Sequence, residues 1–161
     1  MRLYGILLVA VLCMPVGLTG SGPQLPSRKT LTLEAARRVA AAAEAEAKRN
    51  NWAVSIAVLD SAGHMVVFHR MDGAKLVAID IAIRKARTAV FFQQPTKALE
   101  EEVSGGRTAL LPIDGFMPLE GGVPLISDGV MVGAIGVSGV TGAQDAQCAQ
   151  AGAAILSNGK F

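Results

Sequence analysis

Apolar positions recur along this chain in two rhythms, and the switches between them mark out its elements. Ala36, Val39, Ala40, Ala43 and Ala47 follow helical spacing, set against Arg37, Arg38, Glu44, Glu46 and Lys48. Thr32 stands where an N-cap belongs, Glu34 falls in the first turn, and Asn50-Asn51 closes the helix. The stripe is mostly alanine, so this helix can lie close against a sheet.

The rhythm then changes to that of strands. Trp52 to Leu59 is rich in β-branched and apolar residues, Asp60-Ser-Ala-Gly63 reads as a hairpin loop, and His64 to Met71 is the return strand. Alternation places His64, Val66, Phe68 and Arg70 on one face and Met65, Val67, His69 and Met71 on the other. Both faces are partly apolar, so one is expected against helices and the other against a subunit or ligand. Lys75 to Gln93 predicts a second helix, apolar around most of its girth and therefore buried on more than one side. Pro95 breaks it, Thr96 can cap a short third helix, and a loop follows from Ser104 through Gly115.

Gly121 to Ile126 and Gly133 to Gly139 read as two strands joined by a tight Asp128-Gly129 turn, before a last helix from Gly142 to Asn158-Gly159. Strands joined by short loops imply an α+β fold with an antiparallel sheet. The second of these strands carries glycine every third residue. Either a neighbouring helix packs tightly there, or the bare backbone admits a flat ligand or a second subunit. It is not a dinucleotide fingerprint, because the spacing and the acidic partner are wrong.

Ahead of the fold, Met1-Arg2, the apolar run Leu3–Val16 and the small residues Gly17–Gly22 read as a cleaved signal peptide over 1–21. The run is short for a bilayer span, so no stable membrane anchor is expected. Residues 22–30 form a linker and 31–161 a single domain. Export to the periplasm or cell exterior follows. Cys13 leaves with the leader, Cys148 remains alone, and no intramolecular disulfide is possible. A net charge of +2 and few aromatic residues argue against nucleic acid as a partner.

The chain has two histidines, His64 and His69, which regular alternation puts on opposite faces of one strand. Their spacing lacks the helical His-Glu pattern of a catalytic zinc site. They are either edge residues or, singly, ligands. Arg70, Arg84, Lys85 and Arg87 are either solvated or a cationic rim for an anion; Asp80 can pair with Arg84 one turn on. Glu100-Glu101-Glu102 reads as a solvated face and Cys148 as a small core residue. No nucleophile-base arrangement stands out, and whether the protein is an enzyme stays open.

Taken together, Gly121-Gly122-Val-Pro-Leu-Ile126, Asp128-Gly129, Gly133-Ala-Ile-Gly136-Val-Ser-Gly139, Asp60-Ser-Ala-Gly63, His69-Arg70-Met71-Asp72-Gly73 and Lys85-Ala-Arg-Thr88 resemble the GlcG/HbpS family of haem-degrading-type domains, over roughly Leu31 to Asn158. The resemblance implies a five-stranded antiparallel sheet covered by helices, in the order α-β-β-α-α-β-β-β-α. It implies haem (iron porphyrin) as cofactor and a homo-oligomer that sequesters or senses haem, with a signalling partner unidentified. On this reading His69 is the preferred iron ligand, with Met71 on its face and His64 as the rival donor. Arg70, Arg84, Lys85 and Arg87 would meet the propionates. The resemblance leaves two other readings open. One is an enzyme that degrades haem or acts on another small molecule near Gly121-Gly122 and the Arg107 loop, of glycolate-pathway or corrinoid-associated type. The other is a non-catalytic structural or partner-binding oligomer.

Overall fold

The computed structural model describes residues 25–157; the expected leader, the first part of the expected linker and the helix stop expected at Asn158-Gly159 lie outside them. Helix α1 spans Leu33–Arg49, β1 Ser55–Asp60, β2 Met65–Arg70, α2 Val77–Phe92, α3 Thr96–Ser104, β3 Gly122–Ser127, β4 Val130–Ser138 and α4 Gly142–Ser157. One 3-10 turn, Thr108–Leu110, interrupts the long loop before β3.

Each boundary has a local cause. The Thr32 hydroxyl accepts the Ala35 N–H at 3.2 Å, and the Asn50 N–H closes the other end of α1 on the Ala47 and Lys48 carbonyls. Gln93 takes a left-handed conformation (φ 54°) that turns the chain out of α2 ahead of Pro95. Asp128 and Gly129 both have positive φ (47° and 75°), as a two-residue turn with matching strand twist requires.

The strands form one antiparallel sheet in the order β2-β1-β4-β3. Four strands are present among the described residues, where five were expected. The missing strand falls in the stretch before Gly122, which side chains of the helices tie down instead. Thr88 accepts the Met117 N–H at 2.9 Å and Thr96 donates to the Leu119 carbonyl at 2.6 Å.

Helices cover the two faces unequally. Helix α1 packs on β1 and β2, and α4 on β3 and β4, closing one face over Ile56, Val58, Leu125, Ile135 and Val137. On the other face α2 lies over β1, β3 and β4, with the short α3 touching β3, and packs Ala82, Ala86 and Ala89 on Ala57, Leu59 and Ala134. Gly136 on β4 explains how closely α2 sits. A Cβ added to Gly136 would stand 2.1 Å from the Ala82 carbonyl oxygen. The backbone that approaches the glycines of this series is the chain's own, which decides for the packing alternative.

The regular alternation expected for β2 breaks at Val66. Val58 pairs with Val67 but Leu59 with Met65, so Val66 is an extra, bulged residue. Val66 and Val67 both pack toward α1, while Met65 shares the face of its partner Leu59. Met65 and Met71 are therefore on opposite faces, and the strand begins at Met65 rather than His64.

Candidate functional site

The two histidines differ sharply in setting. His64 stands at the hairpin with its side chain 81% exposed, 3.7 Å from an Asp60 oxygen. The other Asp60 oxygen accepts the N–H groups of Ala62 and His64, both at 2.9 Å. Burial pushes the Asp60 carboxyl up, but those N–H groups and the His64 charge outweigh it and hold it below its usual value. His64 thus serves a turn.

His69 lies on the α1 side of β2, with Nδ1 2.7 Å from Glu44 Oε2. Hydrogen bonding from Lys48 first, and from His69 second, holds the Glu44 carboxyl below the usual range. In the neutral ring, an ionised carboxylate accepting from Nδ1–H selects the tautomer whose Nε2 carries the lone pair. Beside it, Met71 packs half-buried against the α1-side core, and Arg70 is exposed. Arg70, Met71, Asp72, Glu44 and Lys48 line an open cleft of about 350 Å³.

The four expected basic residues do not form one cluster. Arg84 and Arg87 are exposed on α2, on the other side of the sheet from His69. Lys85 points inward and is 2% exposed. Its ammonium meets Asp145 Oδ2 at 2.7 Å and donates to the Val137 carbonyl at 3.1 Å. It is a buried pin between α2 and α4, not a member of a cationic rim. Burial pushes the Asp145 carboxyl up, opposed by the Lys85 ammonium and by the Val140 N–H that Oδ1 accepts at 3.2 Å.

The same pin fills the place where a small-molecule pocket was expected at Gly121-Gly122. A Cβ on Gly121 (φ 128°) would lie 2.8 Å from Lys85 Nζ and 2.7 Å from the Val137 oxygen; one on Gly122 would lie 2.5 Å from the Lys85 oxygen. Arg107 is drawn away to Glu102. Sequence reasoning passed over Asp145 altogether. The available signal was a lone lysine on the alanine face of α2, which demands a buried carboxylate somewhere in the fold. Among the described residues no group of three His, Cys, Asp or Glu is placed to hold a metal ion, and no helix is long and apolar enough to cross a membrane.

A family model described as haem degrading protein HbpS-like matches residues 31–154. The chain belongs to the HbpS-like family. It is 47% identical over 133 residues to Protein GlcG of Escherichia coli, covering 83% of this chain and 99% of that one. A crystal structure of a double mutant of Streptomyces reticuli HbpS superimposes with a TM-score of 0.77 at 40% identity, covering 90% of this chain and 98% of that one. A crystal structure of a PduOC–haem complex superimposes with a TM-score of 0.72 at 30% identity, covering 79% and 95%. The HbpS-like fold is thus shared across relatives, one of them solved with haem bound.

Proposed function

We propose that this protein is an exported haem-binding module that sequesters or senses haem as a homo-oligomer. The observation that carries the reading is the Glu44–His69 pair. A ligand imidazole needs one nitrogen tied to an acceptor and the other left basic, and His69 has the first condition met at 2.7 Å. Family membership and the haem complex of a 30%-identical relative support the choice of ligand. His64, four-fifths exposed and held to a turn, lacks that preparation.

Met71 supplies an apolar neighbour on the face of His69, and the histidine's partner Glu44 lines a cleft with Lys48, Arg70, Met71 and Asp72. The cleft there lies near the bottom of the range of about 300–1,000 Å³ typical of small-molecule sites. A porphyrin must therefore lie partly outside one protomer, and a second copy would cover it. The outer side of α2, with Leu76, Val77 and Phe91 exposed near Arg84 and Arg87, has the composition such a cover needs.

Hemin titration with visible spectra tests the reading. A sharp Soret band is expected for the wild type and for His64→Ala, and a shifted or lost band for His69→Ala. Unchanged spectra in both variants would remove histidine ligation. An enzyme reading has one specific support, the family description as haem degrading. Reductant-driven loss of the Soret band with iron release, persisting in the presence of catalase, would establish it.

A further inference from the structure

Ser55 is completely buried, and its hydroxyl has no hydrogen-bond partner. Buried orphans are rare in folded proteins and ask for a cause. The strand register shows what surrounds this one. Ser55 pairs with Arg70 on β2 and with Ser138 on β4, so the three side chains form a row on one face of the sheet. It is the face of Ala57 and Leu59, which pack against α2.

Helix α2 also has a direction over that face. Phe91 lies against Gly63 at the hairpin end, and Ala82 and Ala86 lie over Gly136 in the middle. Its first turn therefore lies toward the Ser55 end, where Gly73 also packs beside Ala53. That turn has no side-chain cap. The Ala78 and Ile79 N–H groups bond back to Lys75 and Leu76, and no acceptor is found for those of Leu76 and Val77 among the described residues. Arg70 and Lys75 are exposed, with no carboxylate in ion-pair range among the described residues. The nearby acids Asp72 and Asp80 are exposed and bond to none of these donors.

We propose that the Arg70–Ser55–Ser138 row beneath the uncapped start of α2 is a carboxylate-binding site. The Arg70 guanidinium and the Leu76 and Val77 N–H groups are unspent donors, the Ser55 hydroxyl can add another, the helix dipole favours an anion, and the Arg70 fork matches two carboxylate oxygens. The approach is from the end of the sheet, where Ala53, Gly73, Lys75 and Gly139 line an open cleft of about 490 Å³. The ligand class is a monocarboxylate, either free or carried on a larger molecule. The site stands without the haem reading; it deepens that reading if the carboxylate is a propionate.

The test uses the full domain, isotope-labelled, with sodium acetate as probe and sodium chloride as control. Saturable shifts of the Leu76 and Val77 amide signals are expected with acetate alone. Ser55→Ala and Arg70→Gln should each weaken acetate about tenfold. Ser55→Ala should fold with an unchanged or higher melting temperature, since it removes an unpartnered group. A second arm compares hemin with its dimethyl ester. Preference for the free acid, lost in Ser55→Ala, identifies a propionate; equal binding, or no hemin binding at all, with the acetate shifts intact assigns the site to a free carboxylate. Shifts equal for chloride and acetate, or unaltered in both variants, overturn the proposal, as does the absence of any shift.

Discussion

The two faces of the sheet are built on different principles. The α1/α4 face is closed by two helices over a continuous apolar cluster, with Ala36, Ala40, Ala43 and Ala47 letting α1 approach closely. The α2 face has one long helix, a smaller cluster that takes in Phe68 of β2, and a charged pin. The first face is committed to stability. The second combines close packing with unspent polar groups, and such groups mark where a fold departs from purely structural demands. His69 is informative because it stands at the border, on the closed face but on the edge strand.

The largest test of that contrast is the pin. Lys85→Met or Asp145→Ala leaves one buried charge without its partner, and each should cost about 3–5 kcal/mol in denaturant unfolding. Lys85→Met combined with Asp145→Leu should recover much of the loss. A loss below about 1 kcal/mol for either single variant would mean that the pin does not hold α2 to α4.

Next comes close approach. Gly136→Ala places a methyl group against the backbone of α2 and should cost about 1–3 kcal/mol or more. The obstacle is the Ala82 carbonyl, which no side-chain rotation can move aside.

Smaller effects concern the border. Glu44→Gln removes the carboxylate from His69 and should weaken hemin binding about 10- to 100-fold, with little change in stability. Titration of the Soret band against unfolding curves separates the two quantities. The smallest expected signal is that of Cys148, whose thiol burial pushes up to about 11. Because the folded value is raised, the thiol stays protonated through neutral pH. An aromatic disulfide reagent at pH 8 should find it silent in the native protein and reactive after unfolding.

Much of this arrangement was legible in the sequence because it rests on local rules. The Thr32 cap, the alanine stripe, the Asp60–Gly63 and Asp128-Gly129 turns and the helix break at Pro95 all follow from residue type and spacing. What escaped was non-local. The bulge at Val66 depends on the pairing of two strands, and nothing in Met65-Val-Val-Phe announces it. The partner of Lys85 lies 60 residues away, so a basic residue among Arg84 and Arg87 looked like one of three alike. The glycines were correctly read as close contacts; only the fold shows that Gly136 meets α2, while Gly133 meets Leu59 and Gly139 meets Ala53. The orphaned Ser55 hydroxyl has no sequence signature at all, since serine in a strand is ordinary.

The irregularity at Val66 has a bearing on solubility. A β-sheet with two free margins is a template on which further copies can polymerise, and both margins here are blunted. One is kinked by the surplus residue, and the other contains Pro124, which has no N–H to offer an incoming strand. Growth into fibrils by strand addition is thereby discouraged, and any assembly of this chain is left to its helical surfaces.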